Sequence, residues 1–436
     1  MSMLQPGATA LNLEALVAEP VDWRFKSFPV SAAAVAIRDV GAMGWHALDG
    51  DFGMPLLVIR ESALDHNIKL MARYCDRHKV SLAPHAKTPV SPQLVDRQLA
   101  AGAWGISVAN LHQARLLRLA GCRRILMANE VVERATLEWL AAELGRDPTF
   151  EFISLVDSPY VVRLMDEQLA AAGLQGRTSV LVEMGVPGGR CGCRTLEEAL
   201  GVAGAIGDSR HLQLTGVEVY EGMVPRSDLD VRLRSVDELL ALVRAVMVEL
   251  DRRRWFAAVP ELIVTAGGSL FFDRVVDGLG SAWRLSTPVR CVLRSGSYIT
   301  HDAGEYDRLS PLAGRAGADG KLRQALELWA HVLSIPEPGL AVIGFGRRDA
   351  AHDQELPVPF ARRVGVRTEP VATSDLEVFA LNDQHARARI RPDLQLEPGD
   401  LLGFHVSHPC TTFDNWGLVP LVNDGYLVLE AIRSYL

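Results

Sequence analysis

From Pro55 to about residue 305 the chain alternates short apolar runs with longer segments of helical periodicity, and that alternation narrows the fold more than any other feature. Leu56–Ile59, Ser81–Ala83, Trp104–Val108, Arg124–Met127, Phe150–Val156, Ser179–Glu183, Leu212–Val219 and Leu262–Thr265 read as strands, apolar enough to be buried on both faces. Between them lie stretches with helical spacing, such as Ser62–His78 with Leu64, Ile68 and Met71 on one side, and the Leu-rich Leu111–Leu119. Short buried strands joined by amphipathic helices call for parallel pairing through right-handed crossovers. About eight such units over some 250 residues predict a (β/α)8 barrel, with an open doubly wound sheet as the alternative.

After about residue 305 the rhythm changes. Pro, Gly and short alternating runs (Leu340–Ile343, Leu376–Leu381, Ala386–Ile390, Leu401–Val406, Gly425–Glu430) predict an antiparallel β domain, interrupted once by a helical Leu322–Leu333. Residues 1–53 hold no long periodic element and are read as an extension packing on that β domain. The expected organisation is an extension over 1–53, a barrel over 54–305 and a β domain over 306–436.

Composition removes several classes of function. Net charge is −8 and no basic run exceeds Arg252–Arg254, so nucleic acid is not an expected partner. No apolar run approaches the ~18 residues of a membrane span. The N-terminus lacks a basic region followed by an apolar core, and the six cysteines form no disulfide framework, so a cytoplasmic setting is expected.

Lysine is scarce: only five of the 45 basic residues are Lys, at 26, 69, 79, 87 and 321. Arg keeps its proton in a protein, whereas a desolvated Lys can become a nucleophile and hold an aldehyde. Lys87 follows the second of these strands, Ser81–Ala83, at the end where barrel enzymes place their chemistry. The other four lie in surface-like settings. Further strand ends carry Glu183 and Arg190 around a Gly-rich turn, Tyr220-Glu221-Gly222, Gly267-Gly268-Ser269, and Arg294 to Tyr298. A glycine pair with a hydroxyl can aim backbone N–H groups at a phosphate, although a tight turn is the plainer reading. Lys87 and this turn together suggest a phosphate-bearing aldehyde, pyridoxal phosphate. His408-Pro409-Cys410 offers an imidazole and a thiolate two apart, able to share one metal ion; a buried cysteine beside a packed histidine is the alternative. Cys191-Gly192-Cys193 reads as buried small residues.

These motifs stand in a recognisable order. Met54–Ile59 with Leu64–Ile68, then Pro84-His85-Ala86-Lys87-Thr88, Glu183 to Gly192, Gly267-Gly268-Ser269, Gly296-Ser297-Tyr298 and Ser407 to Thr412 resemble the fold-type III pyridoxal-phosphate enzymes, in their D-threonine aldolase and D-serine dehydratase branch. The resemblance runs from about residue 54 to the end. It implies an alanine-racemase-type barrel with an appended β domain, and a homodimer. It implies that Lys87 bonds the cofactor aldehyde and moves a proton at the substrate Cα. Gly267, Gly268 and Ser269 would cradle the phosphate, with His85, Tyr298 and Tyr220 also at the cofactor. Arg294 would face the pyridine nitrogen. Arg190 would support a cofactor oxygen or the substrate carboxylate, and Glu183 would orient Lys87 or pair with Arg190. His408 and Cys410 would hold Zn2+, a thiolate being a soft ligand, with His385 nearby or facing the substrate. The implied reaction is β-elimination from a 3-hydroxy D-amino acid, D-serine giving pyruvate and ammonia. A D-threonine aldolase is the main alternative, and a racemase or a non-catalytic cofactor carrier are lesser ones.

Overall fold

Parallel strands close into a ring in a computed structural model that describes residues 10–30, 33–280, 282–317 and 320–436. The barrel strands are β1 (Ser81–Leu82), β2 (Ile106–Val108), β3 (Arg124–Glu130), β4 (Glu151–Val156), β5 (Thr178–Met184), β6 (Leu212–Val219), β7 (Leu262–Ala266) and β8 (Val289–Leu293). Each pairs with its successor from β2 onward, and β8 returns to β1 through Val292 opposite Ser81 and Leu293 opposite Leu82. Backbone hydrogen bonds from Trp104 N to Leu82 O (2.7 Å) and from Ala86 N to Ser107 O (2.8 Å) complete the seam between β1 and β2. Ala83, Leu126, Ile153, Leu155, Leu181, Ile263 and Val292 fill the interior, so the barrel is a packed core with its working surface at the strand ends. The outward side chains of the strands join the helices in the main core. Among the described residues, no helix is long and apolar enough to cross a membrane.

Two expected elements fall elsewhere. Leu56–Arg60, which opens the rhythm in the sequence, is not a barrel strand. It pairs antiparallel with Leu326–Glu337 and parallel with Leu418–Val422, inside the ten-stranded sheet of the C-terminal region. Its run is apolar because both faces are covered: Leu57 and Ile59 enter the main core, while Leu56 and Val58 pack with Phe28, Phe52 and Trp329 in a second one. Apolarity alone does not say which sheet does the covering. The eighth barrel strand is instead β8, whose run is broken by Arg290, and Lys87 therefore follows the first barrel strand and not the second.

The other correction is Leu322–Leu333. Its Leu, Glu and Ala favour a helix, yet Leu326–Glu337 is a strand paired with Leu401–His405, Leu340–Ile343 and Leu56–Arg60. Leu326, Leu328, Ala330 and Val332 alternate into the main core while Trp329 faces the second. Pairing on both edges and burial on both faces override the local preference. Residues 21–52 supply much of the second core, with Phe28 edge-on to Trp45 at 5.2 Å.

Candidate active site

A cavity of about 380 Å³ lies at the C-terminal ends of the barrel strands, roofed by residues from the β domain. His85, Lys87, Arg190, Tyr220, Gly267, Gly268, Ser269, Arg294, His408 and Cys410 all line it. Tyr298 does not: it is buried, and its hydroxyl accepts a hydrogen bond from Gln98 Nε2 at 3.0 Å. His385 is exposed in a turn outside the cavity.

Lys87 sits on a tightly held loop. His85 N donates to Arg294 O (3.1 Å), which ties the loop to the end of β8. The C-terminal tail pins the other side, through Ser434 Oγ to Pro89 O (2.7 Å) and Tyr435 N to Val90 O (3.2 Å). Val90 adopts φ of 39°, costly for a β-branched residue and sustained by these contacts. The amine opens onto the cavity yet has protein on most sides. That burial lowers its pKa; the Cys410 thiolate opposes the shift and the Arg190 and Arg294 charges add to it. The shift is towards the neutral, nucleophilic form. Burial, with Lys87 and the same arginines, also keeps the His85 imidazole neutral, its pKa well below the ordinary value.

Acidic residues occupy the floor. Arg294 is buried in an ion pair with Glu218, and its Nη1 donates to Thr265 Oγ1 at 2.8 Å. Glu183 is not the partner of Arg190. Burial, the Glu218 charge and a hydrogen bond with Glu130 raise its pKa, so it holds a proton. Arg190 lies over the Tyr220 ring at 4.6 Å, and no carboxylate pairs with it among the described residues. The two glycines expected at the phosphate face a carboxylate in this structure. Gly267 N and Gly268 N donate to Glu221, at 3.2 and 2.7 Å, so both N–H groups are already used by a buried carboxylate. A Cβ at Gly267 would lie 2.5 Å from Arg294 Nη2, and one at Gly268 2.2 Å from Glu221 Oε1. Only glycine leaves room for these two side chains.

The β domain brings His408 and Cys410 to the same cavity. His408 is extended and caps the one-turn helix Pro409–Phe413. Its Nδ1 is held by Asp353 Oδ2 at 2.6 Å, and Asp353 Oδ1 accepts from Thr411 Oγ1 at 2.9 Å. With Nδ1 engaged by Asp353, Nε2 is the nitrogen left to face Cys410, and a metal ion would take it in place of a proton, the carboxylate–histidine arrangement found behind metal-ligating imidazoles. Burial would raise the Cys410 thiol, but hydrogen bonds from His408 and from Thr88 (3.2 Å), with the positive charges of His408 and Lys87, hold it below its ordinary value. Thiolate, imidazole and anchoring carboxylate form a donor set suited to a soft divalent ion. Asp353 has no motif around it and stands 55 residues from His408; only the fold reveals it. Cys191 is exposed at the cavity rim, its sulfur within 4.8 Å of carboxylate oxygens of Glu130 and Asp157, while Cys193 is buried.

A family model described as "Putative serine dehydratase domain" matches residues 325–422, and one for the alanine racemase N-terminal domain matches residues 59–253. A D-threonine aldolase of Arthrobacter sp. is 30% identical over 376 residues, covering 85% of this chain and 89% of the relative. The chain belongs to the fold-type III pyridoxal-phosphate enzymes. A 3-hydroxy-D-aspartate aldolase of Paracoccus denitrificans (strain Pd 1222) is 25% identical, covering 84% of this chain and 88% of its own length. Among solved structures of the fold, the D-threonine aldolase from Filomicrobium marinum superposes with a TM-score of 0.71 at 26% identity, covering 88% of this chain and 95% of that one. D-threo-3-hydroxyaspartate dehydratase from Delftia sp. HT23 shares the fold at 22% identity and a TM-score of 0.67, covering 87% and 97%.

Pyridoxal phosphate fits the donors that remain in a fold-type III site. Lys87 supplies a free amine. Ser269 Oγ and Ser297 Oγ lie 3.1 Å apart on the cavity wall. The Tyr306 hydroxyl is buried beside Ser269 and Ser310 without a well-formed hydrogen bond. An unpaired buried hydroxyl is costly unless a ligand completes it. Hydroxyls of Ser269, Ser297 and Tyr306 are thus donors open to a phosphate at this end of the cavity. Ser297 and Tyr306 were not singled out in the sequence as phosphate donors.

Proposed function

We propose that this chain is a pyridoxal-phosphate lyase acting on a 3-hydroxy D-amino acid, with loss of the β-hydroxyl as its preferred outcome. D-serine, the simplest such substrate, would lose water to an enamine that hydrolyses to pyruvate and ammonia. The observation that carries the reading is that Lys87 and the His408–Cys410 pair open onto one cavity, with Thr88 Oγ1 3.2 Å from Cys410 Sγ. Lys87 would take the proton from Cα, burial shifting the amine towards its neutral form. Arg190, unpaired and flattened on Tyr220, would bind the substrate carboxylate. His408 and Cys410 would hold Zn2+. When bound, the cofactor supplies an aldehyde for the amine and an electron sink for the bond broken at Cα, and the metal a Lewis acid for the β-hydroxyl. A homodimer is part of this reading on the family resemblance.

Pyruvate and ammonia from D-serine are the expected products when the protein is supplied with pyridoxal phosphate and Zn2+. A second reading, cleavage of Cα–Cβ, is favoured by the 30% identity to a D-threonine aldolase. Glycine and acetaldehyde from D-threonine, without pyruvate from D-serine, would establish it and remove the dehydratase.

Tyr306→Phe tests the phosphate end. Losing one hydroxyl donor to an anion is expected to weaken pyridoxal phosphate binding about ten-fold, roughly 1.4 kcal/mol. Absorbance titration of the cofactor measures it. Unchanged affinity would move the phosphate away from Tyr306.

A further inference from the structure

We infer that the segment around Lys26 is a strap that positions the His408–Cys410 pair, with Lys26 as its positioning residue; the inference rests on the metal reading proposed above. Lys26 is not the surface lysine its neighbours suggest. Its Nζ lies 2.6 Å from Asp349 Oδ1, donates to Arg348 O at 2.7 Å, and sits 4.0 Å from the centre of the Trp416 ring. The Asp349 side chain is 1% exposed, and Lys26 is the basic side chain paired with it. A buried carboxylate stripped of its counter-charge is strongly unfavourable.

Asp349 sits where the two segments of the metal site are joined. Its carboxylate accepts from Gly346 N (2.8 Å), which shapes the loop that carries Asp353 four residues on. Its carbonyl accepts from Trp416 Nε1 (2.9 Å), just beyond the short helix that follows His408. Ala351 N donates to Thr412 Oγ1 (3.1 Å), and Thr412 Oγ1 donates to His408 O (3.0 Å). The Asp353–His408 contact closes the circuit. Lys26 thus forms an ion pair with Asp349 of the loop, donates to Arg348 O of the same loop and covers the indole of the other segment. The strap is itself anchored: Ser27 Oγ donates to Pro55 O (2.5 Å), Gly53 N donates to Ser27 O (2.9 Å), and Phe28 lies edge-on to Phe52 at 6.2 Å. A region whose role is not legible in the sequence thus grips the loop whose Asp353 faces the His408 imidazole.

Partners behind a ligating imidazole typically change metal affinity 10–100-fold. Full-length protein and the variants Lys26→Met and Lys26→Met with Asp349→Asn would be titrated with Co2+, following thiolate–cobalt absorbance, and with Zn2+ by chelator competition. The single variant is expected to bind about ten-fold more weakly or worse, with unchanged pyridoxal phosphate affinity. The double variant, which has no stranded carboxylate, should recover most of the loss. Equal Co2+ affinity in Lys26→Met and the unsubstituted protein overturns the strap. An unsubstituted protein that binds neither ion overturns the metal reading itself, a different result. Hydrogen exchange on the unsubstituted protein needs no variant to fold. Stripping the metal should raise deuterium uptake in residues 20–28 and 346–355, because coupling between two sites is reciprocal, and no change there also overturns the strap.

Discussion

Lys87→Ala is expected to lower turnover of the D-amino acid substrate more than a thousand-fold, about 4 kcal/mol or more of lost transition-state stabilisation. One amine is asked to hold the cofactor aldehyde and to move the Cα proton, so both functions fall together. No other lysine can take over. Lys69 and Lys79 pair with Asp65 and Asp76 on the outer surface, Lys26 is committed to Asp349, and neither these nor Lys321 lines the cavity. His85 beside Lys87 is neutral but cannot bond an aldehyde as a primary amine does. The fold should survive, because the Lys87 side chain opens onto the cavity and carries no ion pair among the described residues. The decisive readout is mass. Borohydride should fix pyridoxal phosphate to the Lys87 peptide of the unsubstituted protein and leave Lys87→Ala untagged. A stoichiometric tag elsewhere in the variant, with activity kept, would remove Lys87 from the mechanism.

The place of Lys87 in the cavity is legible because its signal is local: a rare residue at the end of a strand, inside a motif of five. The place of His408 and Cys410 is legible for the same reason, two candidate ligand types at one spacing. What the sequence hid depends on contacts between distant segments. Asp353 reaches His408 across 55 residues. Glu221 accepts from the N–H groups of Gly267 and Gly268 from another strand end, a contact no local pattern announces. Tyr306 becomes interesting only once its hydroxyl is seen buried beside Ser269. The same limit applies to the fold. The β/α rhythm places the barrel, but Leu56–Arg60 is as apolar as a barrel strand and goes to the other sheet. Leu326–Glu337 trades helix propensity for pairing on two edges. Local pattern specifies what an element is; which neighbour covers it is a tertiary fact.

Substituting the metal pair is expected to separate cofactor from chemistry. Cys410→Ser replaces a thiol whose pKa His408 and Thr88 hold below its ordinary value with a hydroxyl that stays protonated. His408→Ala removes the imidazole and strands Asp353. Either change should abolish stoichiometric Zn2+ and lower turnover at least a hundred-fold, several kcal/mol being typical of a lost Lewis acid. The borohydride tag on Lys87 should persist, since neither residue is asked to hold the cofactor. Asp353→Asn should fall between, with metal affinity down 10–100-fold, because the imidazole remains but its orientation and basicity weaken. Chelation of the unsubstituted protein should reproduce the Cys410→Ser phenotype, and Zn2+ should reverse the chelated state alone. Full turnover in a protein shown to be metal-free would dismiss the pair as a catalytic centre and leave Thr88–Cys410–His408 as a packing contact between the barrel mouth and the β domain. If turnover is lost, the products retained at low residual activity distinguish the two reactions. A dehydratase weakened at the metal still makes 2-oxo acid and ammonia from D-serine, whereas an aldolase still releases glycine and acetaldehyde from D-threonine.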